Sequence, residues 1–154
     1  MKSHRSVLAL LFLGIITLSF SGCVTQLADS SPTASGKPEV VIASRDVDSM
    51  KSSLTREMAS FGYQVDQDTP NLLEISRTTT DLITTHAFGD ADSAHKRVVD
   101  YTFLRQGVFT KVTADVSVRA RSPEGQVETM SLNNNGAVYG FVQQQLEKLK
   151  EALE

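Results

Sequence analysis

One cysteine, Cys23, and no tryptophan occur among the 154 residues. A lone thiol cannot close an internal disulfide or build a Cys-rich zinc site. Aromatic side chains are scarce at 6%, so a core must come mostly from Val, Leu, Ile, Ala and Met. A basic surplus is also missing: 15 Lys and Arg stand against 18 Asp and Glu, a net charge of -3. Without that surplus there is little to neutralise phosphates, and nucleic acid is not expected as a partner. No Gly-rich phosphate loop and no Gly-x-Ser-x-Gly element occur, so the chain carries no catalytic signature and is not expected to be an enzyme. No apolar run reaches the roughly 20 residues that a membrane-spanning helix needs. What remains is the composition of one water-soluble domain with an unusual beginning.

That beginning has three parts. Lys2 and Arg5 supply a positive start, Val7 to Phe20 is an apolar run of 14 residues, and small residues follow. This is the layout of a secretory signal. Phe20-Ser21-Gly22-Cys23 resembles the bacterial lipobox, with Phe20 where that class prefers Leu. The resemblance covers residues 1–24 and implies cleavage between Gly22 and Cys23, with acyl chains on Cys23. A thiolate is a good acyl-accepting nucleophile, and several acyl chains give the stable anchoring that a single chain does not. Val24, where Asp would imply retention at the inner membrane, implies the outer membrane, at its periplasmic face. The covalent lipid is the only prosthetic group expected. Removing residues 1–22 leaves 132 residues with 13 basic and 18 acidic side chains, a net of -5. Such a surface suits a periplasmic body rather than electrostatic docking on anionic lipid.

Residues 23–38 follow as a tether rich in Ser, Thr, Ala, Pro and Gly, too polar to bury much area. The remainder, 39–154, is expected to form one domain. Residues 39–43 predict a strand. Val47, Met50, Leu54, Met58 and Phe61 make a helical stripe, capped by Asp46 or Asp48 and stopped by Gly62. Residues 63–65 predict a strand, 66–71 a turn holding Asp66 and Asp68, and 72–80 a further strand with Leu73, Ile75 and Arg77 on one side. Residues 81–97 show no period and are expected to be a long loop. Strand 97–104 points Val99, Tyr101 and Phe103 together. After a turn at Gln106-Gly107, residues 108–121 alternate most clearly. Val108, Thr110, Val112, Ala114, Val116, Val118 and Ala120 share one face; Phe109, Lys111, Thr113, Asp115, Ser117, Arg119 and Arg121 share the other. A turn at 122–125, a strand at 126–132 and a helix at 137–154 complete the chain. Val138, Val142, Leu146, Leu149 and Leu153 form the helix stripe, Asn135 its cap, and Gln143 to Gln145 part of its solvated face. The order β-α-β-β-β-β-β-α predicts a two-layer α+β sandwich: a mostly antiparallel sheet of five or six strands with two helices on one face.

His86, Asp90, Asp92 and His95 fall in the 81–97 loop and have the right donor types for a divalent ion, but their spacing matches no metal motif. A hydrolase would pair His86 or His95 with a carboxylate. Arg77, Arg119 and Arg121 could receive an acidic partner on the polar sheet face, against ordinary cross-strand ion pairing. Phe109 on that face marks either an interface or a surface covered by the loop. These features favour a binding or scaffolding module facing another envelope protein. A carrier of a small apolar ligand, held between helix and sheet, is the alternative. The topology loosely resembles the helix-grip domains of some outer-membrane assembly lipoproteins, with no motif behind the likeness.

Overall fold

Alternation of apolar and polar residues with period two runs through the middle of the chain, and it is realised as one antiparallel sheet. The computed structural model describes residues 33–79, 95–121 and 125–154. The elements are β1 (Glu39–Ile42), α1 (Val47–Ala59), β2 (Gln64–Thr69), β3 (Leu72–Thr79), β4 (His95–Gln106), β5 (Phe109–Arg121), β6 (Val127–Ser131) and α2 (Gly136–Leu153). Their order matches the expected one, and the architecture is the expected α+β sandwich of six strands and two helices.

The sheet runs β1-β5-β4-β3-β2, with β6 also on β5. β4 pairs with β5 from Phe109 to Arg119 and so takes up one edge of that strand. β1 pairs with Thr110 to Thr113 and β6 with Ser117 to Arg121, so the two short strands share the other edge end to end. The seam between them is sealed. Ala114 N–H donates to Pro38 O at 2.8 Å, Leu132 N–H to Val116 O at 2.7 Å, and Val116 N–H to Asn133 Oδ1 at 2.9 Å. A side-chain amide thus completes the ladder where neither strand reaches.

Val112, Ala114, Val116 and Val118 of β5, with Val99 and Tyr101 of β4, are fully buried and share one core with the apolar stripes of both helices. Met50 and Met58 are likewise sealed in this core. Asp46 caps α1, its Oδ1 accepting from Ser49 N–H at 3.0 Å, and Asn135 caps α2 through Val138 N–H at 3.1 Å. Gly62 takes φ +81°, a region that disfavours side chains, and turns the chain from α1 into β2. The two-residue link Gly107-Val108 joins β4 to β5, with Gly107 at φ +63°.

Several expectations need correction. The turn expected over 66–71 is confined to Pro70 and Asn71, because β2 continues to Thr69 along β3 through a bulge between Val65 and Gln67. Asp66 and Asp68 are edge-strand residues, and charge there discourages pairing with another chain. Asp68 also receives Lys51 Nζ at 2.6 Å, which ties α1 to β2 and lets the lysine stem be buried. β4 begins at His95, two residues earlier than expected, since the inward alternation extends through Arg97 to His95. Val108 belongs to the turn and is exposed. Gln143 and Gln145 are buried rather than solvated. Gln143 accepts from Glu39 N–H at 2.9 Å and donates to Glu39 O at 3.2 Å, clasping β1 to α2. The clasp extends upstream. Thr33 N–H donates to Tyr139 Oη at 2.9 Å, so residues 33–38, read from sequence as the end of the tether, are fastened to the domain. The turn at 122–125 lies outside the described residues except for Gly125.

Candidate functional site

The inward faces of β3 and β4 change character toward one end. Leu73 and Ile75 give way to Arg77 on β3, while Tyr101 and Val99 give way to Arg97 on β4. Arg77 and Arg97 are direct register partners. Like charges opposite one another normally destabilise a sheet, so this pair has to be accommodated. Arg77 stacks its guanidinium on the Tyr63 ring, 5.1 Å from the centroid, and Nη1 donates to Phe61 O at 3.1 Å. The arrangement suits the flat, weakly hydrated guanidinium. Arg77 Nε is buried and has no hydrogen-bond partner among the described residues.

The remaining walls come from the helices. α1 ends just before Phe61, and Gly62 swings the chain so that Phe61 and Tyr63 both border the same space. Phe61 meets Phe141 of α2 edge to face, with centroids 5.0 Å apart and planes at 88°. Val138 and Ala137 bring the first turn of α2 to the rim. Together these residues enclose a cleft of about 320 Å³ between sheet and helices. Among the described residues its lining holds two guanidiniums and no carboxylate. A second hollow of about 280 Å³ lies between α1 and α2; of its three charged borders, Glu57 and Lys148 pair with each other at 3.3 Å, and Arg56 is the third.

The uncovered face of the sheet is organised differently. Glu74, Asp100 and Asp115 stand side by side across β3, β4 and β5. Arg119 spans two of them, Nη1 to Glu74 at 3.0 Å and Nη2 to Asp100 at 3.2 Å. Lys37 and Asn133 hold Asp115, the latter through Nδ2 at 2.9 Å. Their hydrogen bonds outweigh burial and keep the Asp115 carboxyl below its usual range. Asp100 behaves oppositely: it is pushed up to about 6, first by burial and then by its hydrogen bond to, and the charge of, Glu74. One arginine shared between two carboxylates does not offset both effects.

The sequence-derived candidates are therefore divided. Arg77 lies on the helix-covered face and belongs to the cleft. Arg119 is occupied in cross-strand ion pairs on the opposite face, and Arg121 is exposed at the end of β5 on that face. Phe109 is 46% exposed at the hairpin end, near Leu104, Val108 and Val41, which are also exposed. His95 sits in β4, 1% exposed and paired in register with Thr79, rather than in a loop. Among the described residues no group of His, Cys, Asp and Glu could hold a metal ion. His86, Asp90, Asp92, Gly22 and Cys23 lie outside the described residues. Sequence reasoning missed Arg97, Tyr63, Phe61 and Phe141 as one site. The available signal was a charged residue interrupting the apolar inward positions on each of two successive strands.

The fold and cleft define a helix-covered antiparallel sheet with a cationic, aromatic-walled opening. No helix among the described residues is long and apolar enough to cross a membrane. No family model, curated protein or solved structure matches the chain.

Proposed function

We propose that this chain is a lipid-anchored binding module of the bacterial envelope. Cys23, acylated, holds it at the periplasmic face of the outer membrane, and the domain binds a ligand without transforming it. The supporting observation is the cleft: two guanidiniums in register beside Tyr63, Phe61 and Phe141, with no carboxylate lining it among the described residues. Compact concave sites of mixed apolar and cationic character are what ligand binding calls for. Native mass spectrometry on the full chain extracted from membranes is the test. A retained small molecule that is lost in Arg77→Gln supports the reading, and a chain that carries nothing, or the same mass in both proteins, defeats it. In the same cells Cys23→Ser should move the protein from the membrane fraction to the soluble one. An unchanged membrane fraction would refute the anchor.

Phe109 favours a second reading, in which another envelope protein docks on the open sheet face. A photo-crosslinking residue in place of Phe109, used in intact cells, should then yield one discrete adduct that Leu104→Asp abolishes. A smear of unrelated products would count against it.

A further inference from the structure

We propose that the hollow between α1 and α2 binds the carboxyl end of a short peptide, a site separate from the cleft beside Arg77. Gln145 carries the argument. It lies among the core residues Val142, Leu146 and Leu149 of α2 and is itself only 2% exposed. Yet its Oε1 has no hydrogen-bond partner among the described residues. A buried acceptor without a donor costs stability, and an apolar side chain of similar size would avoid that cost. The neighbouring Gln143 shows what such an amide can hold. Its Oε1 accepts from the N–H of Glu39 and its Nε2 donates to the C=O of the same residue, which is extended. Gln145 borders the hollow and offers the same paired acceptor and donor to an extended residue from outside the domain.

Charge sets the end of the ligand. Glu57 and Lys148 offset each other across the rim at 3.3 Å, whereas Arg56 has no ion pair among the described residues. The border therefore keeps one positive charge, and a guanidinium fork matches the two oxygens of a carboxylate. Size sets the rest. Leu54 and Leu149 supply buried apolar surface, and Ser53 and Ala152 are small. At about 280 Å³ the space is at the small end of ligand sites, which admits the last residues of a peptide only if their side chains are small.

N-acetyl-alanyl-alanine, its C-terminal amide and hexanoate provide the test: the second lacks the charge and the third lacks the peptide groups. The full chain, isotope-labelled and reconstituted in a lipid nanodisc, is titrated with each, and the backbone amide signals of Arg56, Gln145 and Leu149 are followed by NMR. The peptide acid should shift them saturably, with the other two probes at least about tenfold weaker, as loss of a charge-assisted or paired hydrogen bond implies. Gln145→Leu should weaken the peptide acid by a similar factor and yet raise the melting temperature, because the unpartnered acceptor is gone. A glutamine with a purely structural role would melt lower on the same change. Arg56→Gln, an exposed substitution, should bind acid and amide alike. Equal binding of the three probes, a Gln145→Leu protein that binds as tightly as the parent or melts lower, shifts confined to Tyr63, Arg77 and Ala137, or no saturable shift at millimolar acid would each overturn the assignment. The cleft beside Arg77 is judged by its own test, and failure here leaves that reading standing.

Discussion

At the scale of single residues, Asp100 is where charge and burial conflict. Its carboxyl faces Glu74 from β3 and Asp115 and Arg119 from β5, and its folded pKa of about 6 lies above the ordinary value of 3.8. A raised acid binds its proton more tightly in the folded state. Its stabilising contribution is therefore full below pH 3.8 and is lost as pH rises through about 6. Glu39, held down first by Lys111 and then by Ser35, contributes the opposite slope, present above pH 4.5 and lost on acidification. Asp100→Asn should thus stabilise the protein at pH 7 by on the order of 1–2 kcal/mol and match the parent near pH 4. Urea denaturation at the two pH values checks this, and an equal difference at both would contradict it. At this scale the sequence was partly legible. Arg77 could be read as inward-facing beside Leu73 and Ile75, but its partner could not. Which residue stands opposite Arg77 depends on the β3–β4 register, a contact between segments far apart in the chain, and a slip of one residue would invert the face. The inward burial of Gln143 was hidden for another reason: its partner is the backbone of Glu39, and no helical pattern reveals a bond to a distant strand.

At the scale of elements, local rules worked where a cap or a period marked the boundary and failed where pairing extended an element past its own signal. Asp46 and Asn135 cap their helices as polar side chains before an apolar stripe should. β2 outruns its apolar residues because β3 offers hydrogen bonds to Gln67, Asp68 and Thr69, whatever their side chains. The seam in β5 is the clearest case of an element completed from elsewhere. Asn133→Ala removes the acceptor of Val116 N–H and should cost about 1–3 kcal/mol, the usual penalty for a buried donor left without a partner. Hydrogen exchange should locate the loss, with the Val116 amide exchanging faster while amides in the middle of α1 change only as far as global stability does.

At the scale of the whole molecule, fold class and element order followed from alternation and from two amphipathic stripes, whereas strand order did not. Nothing local says that the first strand lies beside the fifth or that two short strands share one edge. The uncovered face shows how little some exposed apolar groups matter to folding. Phe109→Ser should change stability by no more than about 1 kcal/mol, because nearly half of the residue is in water already. If the envelope-protein reading holds, the same substitution should remove a crosslink formed at neighbouring Leu104. A large fall in melting temperature would instead mean that Phe109 is structural.

The clasp of Tyr139 on the chain ahead of β1 and of Gln143 on its first residue has a mechanical side. A pull on the polypeptide upstream of Thr33 does not reach the edge of the sheet alone, because the load passes sideways into α2 and from there into the middle of the sandwich. If Cys23 is the anchor, as proposed, the domain is gripped near its core rather than by a loose hem, and it would resist fraying from that end.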